Sequence, residues 1–155
     1  MSIKDLINIL PEKYLSKIAD EKPELINWDN ISIDKKLSEL FIDQHADKVN
    51  WEYISKYQKL SEEFIEKYKD KVDWYYISYC QDLSEQFIEK YKNYIDWDFI
   101  SEYPKLSEEF IEKYKDYLDW YYISSKQHLS EPFIEKFKDY VDWSVFLRSQ
   151  RLPES

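Results

Sequence analysis

The sequence predicts an all-α protein, an α-solenoid of stacked short antiparallel helix pairs in about six repeats of 23 residues. Three observations predict it. Trp28, Trp51, Trp74, Trp97, Trp120 and Trp143 stand 23 residues apart without exception. Leu37, Leu60, Leu83, Leu106, Leu129 and Leu152 keep the same interval. Within each interval the shared apolar residues step by three or four rather than two, which is helical spacing. A fixed period of this size marks an architecture in which each unit packs only on its neighbours.

Taken in order, residues 3–9 read as a short N-terminal capping helix, so that 1–9 precede the first repeat. Residues 10–36 are a degenerate repeat. Leu10-Pro11-Glu12-Lys13-Tyr14-Leu15 echoes Leu-Ser-Glu-x-Phe-Ile, and Trp28 arrives four residues late, an insertion near Glu21-Lys22-Pro23. Residues 37–151 hold five regular repeats, and 152–155 begin a further one that is cut short. The whole, 1–155, reads as a single repeat domain.

Residues 60–82 serve as the type repeat. Ser61 is an expected N-cap, with Glu62 and Glu63 in the first turn where the helix dipole favours negative charge. Phe64, Ile65, Tyr68 and Val72 continue at helical spacing, and Glu63 and Lys67 are placed for an i, i+4 pair. In the last regular repeat Pro132 replaces the second glutamate, which a first turn tolerates. Asp73, repeated as Asn50, Asp96, Asp119 and Asp142, is the expected N-cap of a shorter second helix that carries Trp74, Ile77 and Gln81 on one face. Ser78 is small enough there for close helix approach. Val-Asp-Trp-Tyr-Tyr-Ile is rich in β-formers, but the step of three argues against a strand. The Leu-x-x-Leu-x-Leu pattern and asparagine ladder of leucine-rich repeats are missing.

Composition narrows the function classes. The chain has 155 residues, 43% hydrophobic and 19% aromatic, with no glycine. No glycine-rich phosphate loop is therefore available. A net charge of −10 opposes direct nucleic-acid and anionic-membrane binding. Cys80 is the only cysteine, so no intrachain disulfide forms and a reducing, cytoplasmic setting is expected. No stretch reaches membrane-spanning length, and the N-terminus lacks a signal-peptide pattern.

Variation between repeats separates framework from surface. Leu60, Ser61, Glu62, Phe64, Ile65, Trp74 and Ile77 recur with few changes and read as core, cap and stacking residues. The residues that follow Trp, or that follow Ile by two or three, vary freely on the second helix. Tyrosine is frequent there, and it supplies contact area at low entropic cost. The candidate partner-binding set is Tyr53, Tyr57, Tyr75, Tyr76, Tyr79, Phe99, Tyr103, Tyr121 and Tyr122. Its Tyr53, Tyr76, Phe99 and Tyr122 stripe equally suits packing between repeats.

A second candidate surface is acidic. Glu62, Glu66 and Asp70 are spaced by four on the first helix. Glu85 with Glu89, and Glu108, Glu112 and Asp116, repeat the pattern, as do Glu39-Asp43-Asp47 and Glu131-Glu135-Asp139. Flanking lysines make a charge-balanced solvated face one reading. An array that imitates phosphates is the other.

Catalytic chemistry is not visible. The carboxylates lie on the expected solvent face, without the dry pocket a general acid needs. His45 occupies the Tyr68-equivalent core position, and neither it nor His128 has metal-ligand spacing. Cys80 has no local histidine. No cofactor and no metal are expected.

The run Leu-Ser-Glu-x-Phe-Ile-x-Lys-Tyr-x-Asp-x-Val-Asp-Trp-x-x-Ile-Ser, as in Leu60 to Ser78, resembles short tandem repeats of uncharacterised phage and large DNA virus proteins. It covers 37–151 closely and 10–36 loosely. The resemblance implies a viral setting, and with it host cytoplasm. It implies no common activity.

The expected function is a non-enzymatic scaffold that binds another protein through the aromatic face, with a host defence factor as one such partner. The alternatives are an acidic mimic that blocks a nucleic-acid-binding enzyme, and a structural protein that self-assembles. Trp143-Ser144-Val145-Phe146-Leu147 departs from Trp-x-x-Ile-Ser, so that end reads either as a cap or as a contact for a second chain. The expected state is a monomer or a weak homo-oligomer joined there.

Overall fold

The computed structural model describes residues 6–7, 9–103 and 105–149. The chain divides into two compact units, Met1–Asp82 and Leu83–Ser155. The first contains α1 (Glu12–Glu21), a 3-10 turn (Pro23–Leu25), α2 (Trp28–Asp34), α3 (Glu39–Gln44), α4 (Trp51–Tyr57), α5 (Glu62–Lys67) and α6 (Trp74–Cys80). The second contains α7 (Glu85–Lys90), α8 (Trp97–Ser101), α9 (Glu108–Lys113), α10 (Trp120–Lys126), α11 (Glu131–Lys136) and α12 (Trp143–Ser149). Among the described residues there is no strand, and regularly spaced helix pairs pack on their neighbours in the α-solenoid manner. Of the expected leading helix, Leu6 and Ile7 are described and helical, and residues 3–5 and 8 lie outside the described residues. The chain beyond Ser149 does so as well, and with it the expected truncated repeat.

Capping starts the helices where the sequence places them. The Ser38, Ser61, Ser84, Ser107 and Ser130 hydroxyls accept from the amides of Phe41, Phe64, Phe87, Phe110 and Phe133. Asn50, Asp73, Asp96, Asp119 and Asp142 accept in the same way at the second helices. Each such cap is worth about 1 kcal/mol. Helices of six or seven residues are far too short to persist alone, so packing holds them.

The first helix is shorter than its periodicity suggests. It ends at Lys67 and its equivalents, and Tyr68 is already the C-cap. Asp70 and Asp116 therefore sit in the following turn, not on the helix with Glu62 and Glu66 or with Glu108 and Glu112.

Within a repeat, Ile42, Ile54, Ile65, Ile77, Ile88, Ile100, Ile111 and Ile123 are completely buried. Each contributes about 1.5–3 kcal/mol of apolar burial. Tryptophan acts between repeats. Trp28 stacks on Phe41 and Trp51 on Phe64 at 6.3 Å, while Trp97 meets Phe110 at 6.3 Å and Trp120 meets Phe137 at 5.9 Å. The indole N–H of Trp51, Trp97 and Trp120 donates to a carbonyl five residues earlier in the chain.

Buried polar side chains add a second tie. The Ser55 hydroxyl, completely buried, accepts from the Asp73 amide of the next repeat at 2.9 Å. Ser32 does the same for Asn50, Ser101 for Asp119 and Ser124 for Asp142. Buried Gln58 accepts from the Leu37 amide and donates to the Ser32 and Lys35 carbonyls. Gln81 and Gln127 are built into the same kind of clamp.

Candidate functional site

In the first unit α2, α4 and α6 stack side by side. The framework turns Ile54 with Ser55, and Ile77 with Ser78, fully inward. The residues on the opposite side of each of these helices must then point out. Tyr57 is 48% exposed, Tyr75 52% and Tyr79 61%. Tyr53 and Tyr76 are half-buried beside them. Tyr53 and Tyr57 meet at 6.1 Å, and Tyr75 meets Tyr76 edge-on at 5.1 Å. Lys56, which the sequence reading did not single out, ties α4 to α6. Its ammonium lies 5.1 Å from the Tyr57 ring centre and 4.9 Å from that of Tyr76. Bonding to Tyr57 chiefly raises the lysine pKa, so it stays charged. A shallow groove of about 200 Å³ runs beside it, reaching Cys80 and Asp82.

The second unit repeats the arrangement with fewer exposed rings on its second helices. Tyr121 is 51% exposed and meets Tyr122 edge-on at 5.3 Å. Phe99, Tyr103 and Tyr122 are half-buried. Lys126 covers the Tyr122 ring at 5.0 Å and pairs with Glu102 at 3.1 Å. The Glu102 charge raises the Tyr122 pKa, which keeps that phenol neutral.

The acidic set is largely drawn into the framework. Glu85 receives both the amide and the hydroxyl of Ser107, at 2.6 and 2.8 Å. Glu108 grips Ser130 in the same way. Glu89 pairs with Lys113 at 2.8 Å and Glu112 with Lys136 at 2.5 Å, each across one repeat. Asp116 accepts from Lys115 and from the Tyr140 hydroxyl. In the first unit Glu39 receives Ser61, while Glu62 is half-buried and Glu66 and Asp70 are exposed. Lys67 pairs with Asp43 of the preceding repeat rather than with Glu63. Together with Tyr68, which donates to the same carboxylate at 2.6 Å, it holds Asp43 below the usual carboxylate range.

His45 stands where other repeats place tyrosine or phenylalanine, 5.4 Å from the Trp28 ring and 4.6 Å from that of Phe41. It is buried, its Nε2 has no hydrogen-bond partner, and burial lowers its pKa. Burial also pushes the Cys80 thiol up, away from the nucleophilic thiolate. Among the described residues no cluster of three or more His, Cys, Asp or Glu is placed to hold a metal ion. No described helix is long and apolar enough to cross a membrane.

Sequence reasoning missed one row of aromatics. Tyr94, Tyr117 and Tyr140 end the turn between the helices of each repeat in the second unit, and all are exposed. Their 23-residue recurrence was available, but they lie outside the helical periodicity.

Comparison with known proteins finds no matching family model, no matching curated protein and no matching solved structure.

Proposed function

We propose that this chain is a non-enzymatic repeat scaffold that binds another protein through the aromatic face of its second helices. One observation carries the reading: Tyr75 and Tyr79 expose more than half of their surface on a helix whose other face is completely buried. The core does not require those rings, and Tyr is a preferred residue of protein contacts. Tyr57 extends this contact surface on the first unit, and Tyr121 supplies it on the second. The half-buried Tyr53, Tyr76 and Tyr122 adjoin Tyr57, Tyr75 and Tyr121, and the half-buried Phe99 and Tyr103 complete the set.

Nucleic-acid mimicry has less support. Glu85, Glu89, Glu108 and Glu112 are neutralised or hydrogen-bonded by neighbouring repeats. An imitation of a phosphate row needs those charges free. The resemblance to phage and large DNA virus repeats makes a host factor, a defence protein among them, the proposed partner, met in host cytoplasm.

The test is affinity capture from host lysate with the unaltered chain and with Tyr75, Tyr79 and Tyr121 changed together to Ala. The variant should lose the partner while melting at nearly the same temperature. Retained capture by the folded variant would overturn the reading.

A further inference from the structure

Glutamine recurs at one register position of the repeat, as Gln58, Gln81 and Gln127. There each side chain accepts from a leucine amide, those of Leu37, Leu60 and Leu106 in turn. Between the last two in the series, the same position holds Pro104. Proline carries neither a side-chain carboxamide nor a backbone N–H. Two consequences appear in the second unit.

The first is at Leu83, the counterpart of those three leucines and the first residue of its unit. Leu83 is buried, yet its amide has no hydrogen-bond partner among the described residues. A groove of about 390 Å³ runs along the same segment, lined in part by Leu83, Ser84, Tyr103 and Lys105.

The second is at the end of α8. After α4, α6 and α10 the glutamine amide closes the last turn on the carbonyl of Ile54, Ile77 or Ile123, four residues back. A proline cannot donate there, and it also pushes the residue before it out of helical conformation. Accordingly α8 stops after five residues, where α4, α6 and α10 have seven. The Tyr103 amide takes the Ile100 carbonyl instead, across only three residues, at 3.1 Å. Such a bond closes a turn less well.

The remainder of this repeat keeps its ties. Ile88 and Ile100 are completely buried, and Glu85 still holds Ser107 at 2.6 and 2.8 Å. The loss is confined to Leu83 and the last turn of α8.

We propose that this repeat contains a built-in opening point, where Leu83 and the C-terminal turn of α8 leave the core while the rest of the second unit stays folded. Proline in place of glutamine at position 104 sets it. Local opening starts where buried backbone groups lack partners and helix ends are poorly closed. Tyr103, half-buried on the aromatic face, lies in this turn and moves with it.

The test is amide hydrogen exchange of the full chain, read residue by residue by NMR, with no partner present. Leu83 should be protected about tenfold less than Leu60 and Leu106, the effect of one missing buried hydrogen bond. Completely buried Ile111 and Ile123 serve as the reference for the unit. Two variants separate the causes. Pro104→Gln returns the carboxamide and the N–H, and should raise protection at both Leu83 and Tyr103. Pro104→Ala returns the N–H alone, and should protect Tyr103 while leaving Leu83 fast. Leu83 as well protected as Leu60 and Leu106 in the unaltered chain would overturn the proposal. So would equal protection of Leu83 in the two variants, or a Pro104→Gln effect as large at Ile111 and Ile123 as at Leu83.

Discussion

The side-chain oxygen of Gln81 accepts from the Leu60 amide at 3.0 Å, twenty-one residues back in the chain and buried from water. Its Nε2 donates to the Ser55 and Gln58 carbonyls at 2.9 and 2.8 Å. One amide thus closes its own repeat and fastens it to the previous one. Gln81→Leu leaves three backbone groups without their partner, each costing about 1–3 kcal/mol when buried. Urea denaturation should show a loss of about 3 kcal/mol or more. A change comparable to that of an exposed surface substitution would refute the clamp.

Glu85 should matter to stability through Ser107. Glu85→Ala removes the acceptor of both the Ser107 amide and its hydroxyl. A loss of about 1 kcal/mol is expected, with Glu85→Gln in between. If Glu85→Ala abolished partner binding with no effect on stability, the carboxylate would belong to a docking surface and not to the framework.

These ties mark where the sequence is readable and where it is not. The Ser61 and Asp73 caps were legible because donor and acceptor lie two or three residues apart. The exposed Tyr75 and Tyr79 followed from the helical step and from their variation between repeats. Gln81 was legible only as a member of the Trp74 and Ile77 face, and Ser78, the equivalent of Ser55, only as a small spacer, because the hydrogen-bond partners of Gln81 and Ser55 are 18 to 26 residues away. Lys67 was misassigned for the same reason. A local i, i+4 rule sees Glu63, whereas stacking brings Asp43 of the preceding repeat closer. Tyr94, Tyr117 and Tyr140 escaped notice because a turn has no helical face.

His45 should make the first unit acid-sensitive. Burial between Trp28 and Phe41 chiefly lowers its pKa below the ordinary 6.5, Lys48 adds to this, and Asp20 and Asp47 oppose it. As pH falls, the unfolded chain takes up this proton first. The stability is complete above about pH 6.5 and is lost as pH drops through the lowered folded value. Melting followed across that range should fall, and His45→Phe should flatten the profile, since Phe137 fills the equivalent position in the second unit. An unchanged slope in the variant would contradict this role.

Salt should leave partner binding largely intact. The proposed contact is a set of neutral rings, and screening acts mainly on exposed charges. A steep fall in affinity with ionic strength would favour the acidic row instead.

The most direct measurement is amide hydrogen exchange of the chain alone and in complex with the captured partner. The account predicts slowed exchange in α4, α6 and α10, the helices that carry Tyr57, Tyr75, Tyr79 and Tyr121. Slowed exchange confined to α5, α7, α9 and α11, with the second helices unchanged, would contradict it.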